Sequence, residues 1–129
     1  MLRSAVFMLG LGVLFTHELN AMQHAEWRVL PLLRALDDDL GRDLFVLLHI
    51  PLFAGIVAAV ASTAPKLRTR SRLVVAAFLV IHGGLHFLYT DHAAYTFSGP
   101  VANGLIYGGA VCGAVYLLLE RIKKAPAQR

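Results

Sequence analysis

Residues 16–27 read Thr-His-Glu-Leu-Asn-Ala-Met-Gln-His-Ala-Glu-Trp. Two histidines, two glutamates, an asparagine and a glutamine therefore follow directly on the apolar run of residues 5–15. Neutral imidazoles bind zinc and iron, and a carboxylate beside them either shares the ion or accepts a proton. His17 and His24 are seven apart, which places them on one helical stripe with Asn20 beside them. His82 and His86 are four apart, and Tyr89 continues their stripe. Two histidines at that spacing can grip one ion from a single helix face, and Gly83 and Gly84 between them leave room for a neighbouring helix or a ligand.

The elements that must position these groups are membrane spans. The chain has 129 residues, one domain by size, with 57% hydrophobic residues and a mean hydropathy of +0.63, more apolar than a soluble domain of this length. Four apolar segments are expected to form an all-α transmembrane bundle, over residues 5–22, 44–61, 73–89 and 101–119. The run 5–15 is too short to cross about 30 Å of hydrocarbon, so the first span must carry His17, Glu18 and Asn20 into the membrane with it. Between the first two spans, residues 24–36 alternate apolar and polar side chains around Trp27 and Pro31, as an interfacial segment does. Asp37, Asp38 and Asp39 suit a helix N-terminus, Pro51 a kink in the second span, and Lys66, Arg68, Arg70 and Arg72 a basic loop after Pro65. Residues 1–124 make up the membrane domain, and 125–129 a tail.

Nine Lys and Arg side chains fall at the N-terminus, the loop between the second and third spans and the C-terminus, against Arg28, Arg34 and Arg42 on the other side. By the positive-inside rule both termini lie in the cytoplasm of a plasma (inner) membrane protein and the polar stretch opens outward. Arg3 with residues 5–15 also has the outline of a signal peptide, but Leu19 is poorly suited to the cleavage site Leu19-Asn20-Ala21, which favours an uncleaved first span. The net charge of +4 sits in patches at span ends without interleaved aromatics, so the bilayer is the expected partner and nucleic acid is not. The pairs Gly104/Gly108 and Gly109/Gly113 suit close helix packing, within the monomer or in a homo-oligomer formed through the fourth span. Cys112 is alone and makes no intrachain disulfide.

At 1.5 Å per residue, His17, His49, His82, His86 and Tyr107 come out between about 14 and 22 Å from the cytoplasmic edge, on a shared level. A lone histidine in a span is ordinarily a hydrogen-bonded bundle residue. Four converging from three spans make His17, His49, His82 and His86 the candidate metal ligands. Glu18, about 100° round the helix from His17, is the candidate catalytic base. Asn20, His24, Glu26, His92 and Tyr107 are candidates to support the ligands. His24, Glu26 and His92, with Asp91, otherwise read as a solvated rim.

Thr-His-Glu at 16–18, Glu-Trp-Arg at 26–28 and Leu-His-Ile-Pro-Leu-Phe at 48–53 together resemble a domain-of-unknown-function family of small four-span bacterial membrane proteins. The resemblance covers the first two spans and implies repeated use of His17, Glu18, Glu26, Trp27 and His49, with no activity attached. Other patterns fit poorly. Zincin peptidases use His-Glu-x-x-His, whereas Ala21 stands where the second histidine belongs. The histidine boxes of membrane desaturases resemble His82-x-x-x-His86, but those enzymes use more histidines than the six present.

The leading expectation is a membrane metalloprotein, an enzyme if the ion keeps an open position, holding zinc or iron in the outer half of the bundle. The alternatives are a b-type haem electron carrier, its iron held by His49 with His86 or by His17 with His82, and a non-catalytic assembly or pH-sensing protein.

Overall fold

The computed structural model describes residues 1–124, and the expected tail 125–129 lies outside the described residues. Four helices run α1 (Leu2–Gln23), α2 (Asp38–Val60), α3 (Pro65–Leu88) and α4 (Gly99–Lys124), with no strand among the described residues. Each is long and apolar enough to cross a membrane. The all-α, four-span architecture is the one the hydropathy pattern demands, because a backbone in hydrocarbon must satisfy its own polar groups.

The helix ends follow local chemistry. The Asp37 side chain accepts from the Asp39 N–H at 3.1 Å and caps α2, which starts earlier than the apolar run because polar residues occupy its first turn. Pro65 occupies the first turn of α3, where its missing N–H costs nothing. The basic residues Lys66, Arg68, Arg70 and Arg72 are therefore helical, in the first two turns of α3, and not a loop. Pro51 lies inside a continuous α2. Gly99, at a φ of +87° that side chains rarely adopt, turns the chain into α4.

Helices α1, α3 and α4 form the tight part of the molecule. Gly83 meets α4 so closely that a Cβ there would stand 2.8 Å from the Ala110 Cβ. A Cβ on Gly113 would run into the Ala76 carbonyl and press the Leu79 Cβ at 3.0 Å. Gly104 and Gly108 face open space instead, so only the second glycine pair is used for packing inside the monomer. Helix α2 is more loosely attached and buries only Gly41, Phe45 and Val60.

Two apolar clusters hold the bundle at its two ends. Phe7, Leu11, Val60, Val75, Ala76 and Tyr116 pack near the chain termini. Ala21, Trp27, Phe45, Phe97, Ala102 and Ile106 pack at the opposite end, and His17 and His86 lie against Phe97 of this second cluster.

Between α1 and α2 the expected interfacial segment is present as two short 3-10 turns, Glu26–Arg28 and Leu33–Ala35. Ala25 sits in the left-handed region at φ 51°, a conformation costing a non-glycine residue about 1 kcal/mol or more. That reversal folds the chain back on the end of α1. The turn is held from α2, where Asp38 accepts from Trp27 Nε1 at 2.9 Å and from the Arg28 guanidinium at 2.7 and 2.6 Å.

Candidate metal centre

Helix α1 contributes His17 and α3 contributes His82 and His86, one turn apart. The three imidazoles meet edge to face, with ring centroids 4.8 Å apart for His17 and His82, 4.9 Å for His17 and His86, and 4.5 Å for His82 and His86. Glu26 completes the group from the reversed turn. Its carboxylate stands 3.5 Å from His17 Nε2 and 3.7 Å from His86 Nε2. One nitrogen from each histidine and one Glu26 oxygen all lie within 4.8 Å of one another.

These separations are too long for good hydrogen bonds and too short for indifference. Among the described residues, the buried side-chain polar atoms without a hydrogen-bond partner are both His17 nitrogens, Nε2 of His82 and of His86, Oε2 of Glu26 and the Asn20 Oδ1. Such an atom ordinarily costs about 1–3 kcal/mol, and five of these six belong to the group formed by His17, Glu26, His82 and His86. His17 is 1% exposed, His86 5% and Glu26 8%. Glu26, read from the sequence as a rim residue, is a buried member of the cluster. The reason is the backbone reversal at Ala25, which linear periodicity does not reveal.

His49 stands elsewhere. Its Nε2 faces the Glu18 Oε2 at 3.0 Å, while its Nδ1 donates to the Phe45 carbonyl one turn back. With Nδ1 turned to Phe45, the other ring nitrogen of His49 is left to pair with Glu18. Thus the four histidines chosen from depth divide into three that converge and one that pairs with the neighbouring carboxylate. Asn20 donates to the Gln23 Oε1 at 3.3 Å and leaves its own oxygen free. His24 stacks on Phe97 at 4.7 Å, Arg34 donates to His92 at 3.0 Å, and Tyr107 is 38% exposed on α4.

Two residues absent from the sequence reading support the centre. Phe97 is buried and packs on His17 at 5.5 Å and on His86 at 4.7 Å. The Tyr95 hydroxyl lies 3.1 Å from His86 Nδ1. Burial, with Tyr107 and Glu26 nearby, pushes the Tyr95 phenol up to about 12, so it stays protonated. Both residues lie in the connection between α3 and α4, which Thr96 fastens to the end of α1 by donating to the His24 carbonyl at 2.8 Å. Nothing in their local sequence carries periodicity. A pair of aromatics two apart in a polar loop was the only available signal.

The arrangement accounts for where the family-like motifs lie: Thr-His-Glu supplies a cluster histidine and Glu-Trp-Arg supplies its carboxylate and that carboxylate's anchor. A model of a family of unknown function, DUF6713, matches residues 3–123. The chain belongs to the DUF6713 family. Comparison with curated proteins and comparison with solved structures find no match. For this DUF6713 chain the functional reading accordingly rests on the geometry of its own residues.

Beside the cluster is a cavity of about 280 Å³, into which Glu26, His82 and His86 face. Its other walls are apolar or aromatic, formed chiefly by Val29, Leu30, Leu85, Tyr89, Tyr95 and Phe97.

Proposed function

We propose that this DUF6713 member is an integral membrane metalloprotein that holds one divalent ion, zinc or iron, with His17, Glu26, His82 and His86. The observation that carries the reading is the collection of orphaned, buried donor atoms at one point. Metal–ligand bonds of 2.0–2.2 Å set neighbouring donors in a tetrahedron roughly 3.4 Å apart. The Glu26 contacts at 3.5 and 3.7 Å already approach that spacing, and small side-chain rotations bring in the remaining donors. A set of three imidazoles and one carboxylate suits zinc or iron, and Cys112 is on the far part of the bundle against Gly10. The hydrogen bond between His86 Nδ1 and Tyr95 would fix Nε2 as the ligating nitrogen, the usual outer support of a metal histidine.

The cavity supports a catalytic version of this reading. It gives the ion a face on the side of Glu26, His82 and His86 that a small, mostly apolar molecule can approach. Such an ion would polarise a carbonyl or lower the pKa of bound water, while Glu18, the proton acceptor expected from the sequence, is paired with His49 and stands outside the residues that line this cavity. Haem is the weaker reading, because three rings in edge contact at 4.5–4.9 Å leave no slot between them for a porphyrin. The nine-to-three division of basic residues supports cytoplasmic termini and a centre facing outward.

Elemental analysis of the detergent-purified protein tests the proposal. About one equivalent of metal is expected, reduced to below about a tenth in His86→Ala. A wild-type protein that stays metal-free after incubation with zinc and with ferrous iron, or a His86→Ala variant that binds as well as wild type, overturns it.

A further inference from the structure

At the opposite end of the bundle three helix ends enclose a polar pocket of about 160 Å³. It lies about 21 Å along α1 from His17, counted from Arg3, and is separate from the metal centre. Arg3 comes from the first turn of α1, Arg68 and Arg72 from the first two turns of α3, and Lys123 from the last turn of α4. Four cations thus face one carboxylate, Glu120, and that carboxylate is already engaged by Arg3 Nη1 at 2.6 Å.

The arginines are held in place by bonds that use only part of their capacity. Arg72 donates through Nε to the Val60 carbonyl at 3.3 Å, with its guanidinium over the Phe7 ring at 5.2 Å. Arg68 donates through Nη1 to the Ser62 carbonyl at 3.0 Å. A guanidinium has five N–H donors, so each retains most of them. The hydroxyls of Ser4, Thr69 and Tyr116 add neutral donors to the same wall. Like charges gathered at a membrane boundary repel, and an anion among them removes that cost.

We propose that this pocket binds a phosphate group, presented at the bilayer surface by an anionic phospholipid. About five water volumes fit in 160 Å³, the right scale for one phosphate. Basic pockets between span ends are suited to such headgroups, and planar guanidinium forks to phosphate oxygens.

Native mass spectrometry of the full chain, released from nanodiscs of phosphatidylcholine with a fifth phosphatidylglycerol, reads the outcome. Phosphatidylglycerol is expected to be retained over phosphatidylcholine, and Arg68→Gln with Lys123→Gln to lower that preference roughly thirtyfold. Arg70→Gln removes one charge from α3 outside the pocket and is expected to change it by no more than about fivefold. Neither Arg68 nor Lys123 is buried, so the double variant retains the fold, which a thermal melt checks. Added inorganic phosphate separates the sources: no displacement at millimolar concentration assigns the site to lipid, and full displacement with equal dependence on Arg68 and Lys123 assigns it to free phosphate. Equal retention of the two lipids, or an Arg70→Gln effect as large as that of the double variant, overturns the proposal.

Discussion

Glu26 is the residue on which the metal reading turns. Without it the centre is three neutral rings packed in the bundle; with it, a buried carboxylate stands among three imidazoles with an unpartnered oxygen. Glu26→Gln keeps the volume and removes the charge, so it is expected to weaken zinc affinity by at least about a hundredfold while His49→Ala leaves the stoichiometry intact. Competition with a chromophoric chelator measures both. A His49→Ala loss equal to that of His86→Ala would restore His49 to the ligand set. Tyr95→Phe deletes only the partner of His86 Nδ1 and is expected to weaken metal binding about 10- to 100-fold without unfolding the protein. An unchanged affinity in that variant would mean that His86 is oriented by Phe97 packing alone.

At the scale of elements, the centre depends on how closely α3 approaches α4 and α1. Gly83 lies between His82 and His86 and faces Ala110, while Gly84 faces nothing within contact distance. Gly83→Leu must therefore push the helices apart, at a cost of about 1–3 kcal/mol. Gly84→Ala meets no neighbour and should be neutral or slightly stabilising, since alanine is the better helix former by about 0.5–1 kcal/mol. Thermal melts of the two variants in one detergent decide the matter, and equal behaviour would mean that the α3–α4 contact is not maintained in the membrane. The 3-10 turn that carries Glu26 is a second positioning element. Its charged and aromatic neighbours Arg28 and Trp27 are tied to Asp38, so α2 is joined to the site mainly through this linker and through the His49–Glu18 pair.

For the whole molecule, four crossings would put the start of α1, the α2–α3 turn and the end of α4 on one side, with the Glu26 turn and the α3–α4 connection on the other. Single cysteines introduced at Ser4, Ser62, Gln23 and Ser98 in a Cys112→Ser background, challenged with a membrane-impermeant thiol reagent in oriented vesicles, check this. Ser4 and Ser62 are expected to label together, and Gln23 and Ser98 from the opposite face. Labelling of Ser4 with Ser98 from one face would mean an even number of crossings between them, so that α1, α2 and α3 do not all span.

Hydropathy was enough to determine the four helices, because burying backbone in hydrocarbon leaves the chain few alternatives, and the spacing of His82 and His86 already placed them on one face. Counting residues along the spans put His17, His82 and His86 at similar positions, and the structure brings these three rings into contact. Azimuth was not legible. One sequence states how far along its apolar segment His49 lies but not which way α2 turns it, and the loose packing of α2 leaves it beside Glu18. The tertiary structure alone decided that a left-handed alanine returns Glu26 to the rings, and that a connection between spans delivers Tyr95 and Phe97. Chain reversals and loop placements depend on contacts between residues far apart in sequence, and local periodicity carries no record of them.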